Sequence, residues 1–203
     1  MNKISPIKAD QITSDWFIPR MPDIDIVTAR AGEPVQAQLE ALFTETTFDA
    51  FKPLGAEFAR KASEPYIARR FFNEALNNNE FLILAGTDTN GDVVSFAAAR
   101  DMGQGVFDLV AVGVRPDLRG HGIGTHMMVE LYDILESRNA DRLNISSPTA
   151  ARFFARQDPV TLNETALRNY RFQQVAAMGS TLPGLAVRHY SKKLYPTGGT
   201  VPS

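Results

Sequence analysis

One stretch constrains this chain more than any other. Residues 108–135 read DLVAVGVRPDLRGHGIGTHMMVELYDIL. The β-rich run Leu109 to Val114 meets a proline-containing loop, Arg115-Pro116-Asp117-Leu118, and then a glycine-rich turn, Arg119-Gly120-His121-Gly122-Ile123-Gly124. Ile123, Met127, Leu131, Ile134 and Leu135 follow at helical spacing. The order is therefore strand, glycine turn, helix. The start of a helix offers N–H groups without carbonyl partners and the positive end of the helix dipole. Glycines there let a bulky anion approach the backbone, so the expected ligand carries a phosphate or pyrophosphate. Three glycines at a helix start cost stability, which argues against a purely structural role.

Two nucleotide-binding patterns fit poorly. A Walker loop ends in Gly-Lys-Ser/Thr, whereas Thr125 follows Gly124 directly. The dinucleotide fingerprint G-x-G-x-x-G leaves its strand without an intervening loop. Here the spacing is G-x-G-x-G, and the Pro116 loop separates it from Val114.

Arg119-Gly120-His121-Gly122-Ile123-Gly124 resembles the R/Q-x-x-G-x-G/A pyrophosphate loop of the GNAT superfamily of N-acetyltransferases. Val112-Gly113-Val114-Arg115-Pro116 resembles that family's V-x-V-x-P approach on its fourth strand. The loop motif alone is weak; joined to the strand, the Pro116 loop and the amphipathic helix it is specific. The resemblance spans about Ile24 to Leu194 and is less clear in the last third. It implies an α/β (α+β mixed) GNAT fold: a mixed, mostly antiparallel, twisted sheet of six to seven strands flanked by about four helices. It also implies an acyltransferase using acetyl-CoA as co-substrate. In that reading the backbone of Gly120, His121, Gly122, Ile123, Gly124 and Thr125 holds the pyrophosphate, and Arg119 adds charge near it or braces the loop. The edge Val112 to Val114 pairs with the pantetheine arm, with Gly113 giving room, and the N–H of Val112 stabilises the oxyanion.

The resemblance also directs attention to acid and base. Asp108, at the expected start of the strand, stands about where histone-type members carry a glutamate base; the competing reading is a solvated carboxylate. Many members protonate the leaving thiolate with a tyrosine in N-x-x-A-x-x-x-Y-x-x-x-G-F. The direct match through Ala150 places Phe154 there, which cannot donate a proton. A second match, Asn163 to Tyr170, has the spacing without the Gly-Phe ending, making Tyr170 the candidate acid. The missing tyrosine motivates an alternative: a catalytically weak or inactive acyl-CoA-binding regulatory or interaction module.

The rest of the chain narrows the classes. It has 203 residues, 44% hydrophobic and 22% charged, enough for one packed domain. A net charge of −2 and the lack of a long basic run disfavour nucleic acid as a partner, except as an aminoacyl-tRNA substrate. With no cysteine, thiolate catalysis and disulfides are excluded, so acyl transfer is expected to be direct or to pass through some other nucleophile. His121, His126 and His189 do not converge with other ligands in the sequence, and no metal is expected. No apolar run reaches membrane-spanning length, and the first residues lack a secretion signal's apolar core, so a cytoplasmic protein without membrane partners is expected. The acceptor is expected to be a small-molecule, peptide or protein amine.

Residues 1–23 read as an irregular arm covering an edge or groove, with a homodimer contact through Trp16-Phe17 as the sharper alternative. Residues 24–194 form the expected domain, and 195–203 a disordered tail. Strands are expected at 23–30, 81–85, 93–100, 109–114 and 142–146, with a closing hairpin of 172–178 and 185–194. Helices are expected from Pro34 to about Thr47, from Ser63 to Ala75, after Gly122, through Phe153 and Phe154, and over 162–170. Phe48, Phe51 and Phe58 lie in a poorly periodic segment and read as core residues; the resemblance implies, alternatively, a wall of the acceptor site.

Overall fold

The computed structural model describes residues 22–32, 34–147, 150–154, 160–162 and 188–193. Its strands are β1 (Asp25–Thr28), β2 (Phe81–Thr87), β3 (Val93–Asp101), β4 (Val106–Val114), β5 (Arg142–Ser147), β6 (Val160–Leu162) and β7 (Arg188–Lys193). The helices are α1 (Val35–Phe51), α2 (Ala56–Ala62), α3 (Pro65–Leu76), α4 (Ile123–Ser137) and the short α5 (Ala151–Phe154). The sheet order is β1-β2-β3-β4-β5-β7-β6. Only β4 and β5 run parallel; the other neighbours are antiparallel. This is the mixed α/β sheet that the resemblance implied.

The central strands are continuous apolar runs because both faces are covered. On one face, Leu82, Leu84, Ala97, Ala99, Phe107 and Leu109 pack against Met127, Met128, Leu131 and Leu135 of α4. On the other, Ile83, Ala85, Phe96 and Ala98 pack against Leu39 and Leu42 of α1 and Phe72 and Ala75 of α3. Phe43 joins this second layer, stacked on Phe71 and edge-on to Phe72.

Local signals act where expected. Pro65 occupies the first turn of α3. Gly91 takes a positive φ in the β2–β3 turn, where Asp88 accepts from the N–H groups of Asn90 and Asp92. Asn139 adopts the left-handed conformation (φ 59°) after α4, and the Ala140 N–H donates back to the Leu135 carbonyl.

Several boundaries differ from expectation. α1 continues past Thr47 to Phe51, and the poorly periodic segment contains α2. Strand β4 begins at Val106, so Asp108 is its third residue rather than its start. Leu162 belongs to β6, which pairs with β7, and not to a helix. Of the expected arm over 1–23, residues 1–21 including Trp16-Phe17 lie outside the described residues, as do the strand over 172–178, Tyr170 and the tail.

Candidate active site

Strand β4 changes character halfway along. Val106 to Leu109 pair in parallel with Arg142 to Ile145 of β5. The register with β3 then slips by one residue: Leu109 faces Ala99 and Ala111 faces Ala98, leaving Val110 as a bulge. Beyond it β5 no longer accompanies β4; Ser146 and Ser147 keep only their β7 partners, His189 and Arg188. The Val110–Val114 half of β4 is thus bonded to β3 alone among the described residues.

The direction of the backbone groups on that half follows from one bond. The Arg115 N–H donates to the Val94 carbonyl of β3 at 2.8 Å. Donors alternate along a strand, so Gly113 also faces β3, while Val112 and Val114 present N–H and C=O to the open side. Their side chains lie on the α4 face, where Val112 packs on the core and Val114 lies near Gly124. Gly113 makes no room for a ligand. A Cβ there would stand 2.4 Å from the Phe96 ring and 2.9 Å from the Thr46 hydroxyl, so its missing side chain is what lets α1 and Phe96 pack on β4. The expected role of that glycine is corrected on this point.

The glycine turn meets the open end of β4. Gly120 and Gly122 have φ of 84° and 86°, values that L side chains rarely adopt. Gly122 is the N-cap of α4, and no side chain among the described residues caps the helix. The first intrahelical bond runs from His126 N–H to the Gly122 carbonyl at 3.0 Å. Helix geometry therefore leaves the N–H groups of Ile123 and Gly124 without carbonyls. The Ile123 side chain is fully buried, so only its backbone is available. Gly124 is different: a Cβ would make ordinary contacts, 3.4 Å to Phe153 and 3.5 Å to Val114. Thr125 is exposed on the first turn.

Arg119 and His121 shape the turn with their side chains. The Arg119 Nε donates to the Val114 carbonyl at 3.1 Å, and its Nη1 pairs with the Asp49 carboxylate of α1. Both contacts brace the turn, which is one of the two roles expected for Arg119. His121 Nδ1 lies 3.1 Å from the Arg119 carbonyl and 3.2 Å from that of Leu118, so it is the donor and the ring holds the turn from within.

Asp108 sits two residues before the bulge and Val112 two residues after it. The carboxylate is 6% exposed, not solvated. It accepts a hydrogen bond from Asn144 Nδ2 at 3.0 Å across the parallel pair. Burial pushes its pKa upward, opposed by the Asn144 bond and by the charge of Arg100, its cross-strand partner on β3. Such a group is a stronger base than an ordinary carboxylate. Phe154 is 2% exposed, buried in the α4-side core, while its neighbour Phe153 leans over the first turn of α4. Tyr170, the other expected catalytic residue, lies outside the described residues. Tyr132, on the core face of α4, is pushed to a high pKa by burial.

The segment beside the site carries three aromatic rings. Phe51 and Phe58 meet edge to face at 5.2 Å, tying the end of α1 to α2, and Phe48 is 39% exposed. Phe48 is therefore not core. Asn144 and Asp49 are the partners of candidate site residues that sequence reasoning missed. Neither lies in a local pattern; each becomes visible only through a partner distant in the chain. No described group of histidine and acidic side chains could hold a metal, and no described helix is long and apolar enough to cross a membrane.

Solved structures share this architecture. The paia N-acetyltransferase of Thermoplasma acidophilum, in complex with coenzyme A, aligns with a TM-score of 0.64 at 13% identity, over 84% of this chain and 99% of its own. A GCN5-related N-acetyltransferase from Rhodopseudomonas palustris gives 0.61 at 20% identity, over 86% and 98%. N-acetylglutamate synthase from Neisseria gonorrhoeae, complexed with coenzyme A and N-acetyl-glutamate, gives 0.58 at 15% identity, over 87% of this chain and 36% of its own. These likenesses concern the fold. No curated protein sequence matches the chain. Residues 39–158 match the family model described as the acetyltransferase (GNAT) family. That match covers more than half of the sequence and includes the bulged strand, the glycine turn and α4, and the chain belongs to the GNAT acetyltransferase family.

Proposed function

We propose that the protein moves an acetyl group from acetyl-CoA directly to an amine acceptor. The observation that carries this reading is the open half of β4 ending beside an uncapped helix start. The residues fit the ligand. Space lies open where a Gly120 side chain would project, and the N–H groups of Ile123 and Gly124 suit a pyrophosphate. The N–H and C=O of Val112 and the N–H of Val114 suit an amide-rich arm lying as a substitute strand.

The chemistry follows from where charge must go. A lysine-like amine is protonated at pH 7 and cannot attack until it loses a proton. Asp108 takes that proton, through a water molecule where the short side chain does not reach. The amine nitrogen attacks the thioester carbonyl carbon, and the Val112 N–H stabilises the negative charge that develops on the oxygen. The attached nitrogen sheds its second proton to water, the C–S bond breaks, and the CoA thiolate leaves. Tyr170 remains the residue proposed to return a proton to it. With no cysteine in the chain, no acyl-cysteine step precedes transfer.

Calorimetry with acetyl-CoA and with NAD is the direct test. Micromolar-range affinity for acetyl-CoA and none comparable for NAD is expected; binding of neither removes the proposal. The acceptor is an amine on a small molecule, peptide or protein, or on an aminoacyl-tRNA. One observation favours a second reading, an acyl-CoA-binding module with little turnover: the buried Phe154 at the tyrosine position. Sustained CoA release with any amine eliminates that reading.

A further inference from the structure

We infer that Asp49 is a positioning residue for the cofactor turn: through Arg119 it clamps the glycine turn and the open end of β4 to the last turns of α1. The inference rests on the acyl-CoA reading above and adds a residue that lies outside the family's loop motif.

Three observations carry it. First, the Arg119 guanidinium is engaged on two sides, by the Asp49 carboxylate and by the Val114 carbonyl. Val114 is the last residue of β4, and its carbonyl points to the open side of the strand. Arg119 thus stands at the corner where strand edge and helix start meet. Second, α1 touches the same corner a turn earlier, where the Thr46 hydroxyl lies beside Gly113. Thr46 is itself pinned, donating to the Leu42 carbonyl at 2.7 Å. Third, Val110 and Ala111 of β4 pack against the cluster that contains Leu39 and Leu42 of α1, so the helix that backs the open half of the strand also holds the turn.

The clamp has a consequence of definite sign. Asp49 adds a negative charge beside the proposed pyrophosphate site. If its effect were only electrostatic, neutralising it would tighten binding of an anion. If it holds Arg119 and the turn in place, neutralising it loosens the turn and weakens binding. The two partners are 43% and 41% exposed, so the expected loss is that of a screened ion pair.

The test is titration of coenzyme A into wild type, Asp49→Asn, Arg119→Gln and the double variant, at low and high salt. Asp49→Asn should raise the Kd about two- to fivefold at low salt. The double variant should be no worse than Arg119→Gln alone, since both changes remove one clamp. Arg119→Lys, which lacks the two-sided fork, should behave like Arg119→Gln rather than wild type. Thermal melting of each variant separates weaker binding from loss of fold, and Asp49→Glu serves as the conservative control that retains affinity. Tighter or unchanged binding by folded Asp49→Asn overturns the inference, as does additivity in the double variant. Failure of wild type to bind coenzyme A would instead strike the acyl-CoA reading itself.

Discussion

The two halves of β4 differ in what surrounds them more than in what they are made of. Both are apolar, and both pair with β3. The first half is closed by β5 and buries one carboxylate, Asp108. The second half, beyond Val110, leaves the backbone donors of Val112 and Val114 facing away from β3 and runs into the glycine turn. A paired strand exposes no main-chain chemistry; an unpaired one offers a row of donors and acceptors. The bulge therefore divides a single strand into a part that holds the proposed base and a part proposed to bind through main chain.

The variant that acts most strongly on this contrast is Asp108→Asn. It keeps an oxygen for Asn144 and removes the proton acceptor. A fall in kcat/KM of about 10²-fold or more is expected, as is typical of a lost general base. In wild type the acid limb of the pH–rate profile should lie above the ordinary carboxylate range, because burial outweighs Asn144 and Arg100. That limb should vanish in the variant. The stability sign is opposite. A raised carboxyl pKa means that the folded state holds the proton more tightly, a contribution present at low pH and lost as pH rises through the raised value. At neutral pH the buried charge is a cost, so Asp108→Asn should melt no lower than wild type. A variant that lost fold and activity together would break the distinction between the two halves.

Gly122→Val tests the other half from its far end. At φ 86° a β-branched residue is strained by at least ~1–2 kcal/mol, so the turn must rearrange. Acetyl-CoA affinity should fall about tenfold or more, the equivalent of ~1.4 kcal/mol. Unchanged affinity would deny that the main chain there binds the ligand. Gly113→Ala separates packing from binding on the open half. Its Cβ would strike Phe96 and Thr46, and a loss of about 1–3 kcal/mol in denaturant unfolding is expected. The smallest effect is predicted for Ser95→Ala. Ser95 faces Val114 across the sheet, and its hydroxyl is buried without a hydrogen-bond partner among the described residues. Removing it should be neutral or stabilise by up to about 1 kcal/mol.

Much of this contrast was legible in the sequence, for identifiable reasons. The apolar spacing of α4, the Asn90-Gly91 turn and the left-handed Asn139 are local signals, and each acted within a few residues of where it was written. Glycines 120 and 122 were read correctly as positions of special backbone freedom. Gly113 and Gly124 were not separable from them, because their roles depend on Phe96, Thr46 and Phe153, which are distant in the chain. Helix α2 was invisible because AEFARKA is too short for periodicity to emerge. Asp108 looked like a strand-end carboxylate because Gly105 masked the two residues, Val106 and Phe107, that extend β4 before it. Its burial and its bond to Asn144 arise from strands that meet only when the sheet is assembled.

The parallel seam between β4 and β5 is four residue pairs long, yet it joins a four-stranded antiparallel block to the strands that follow α4. A ladder so brief is where the two blocks would be expected to separate first in native-state amide exchange. A ligand lodged in the gap would bond to one block through Val112 and to α4 through its first N–H groups. Occupancy would then extend the seam, slowing exchange in β5 although no atom of that strand need touch the ligand.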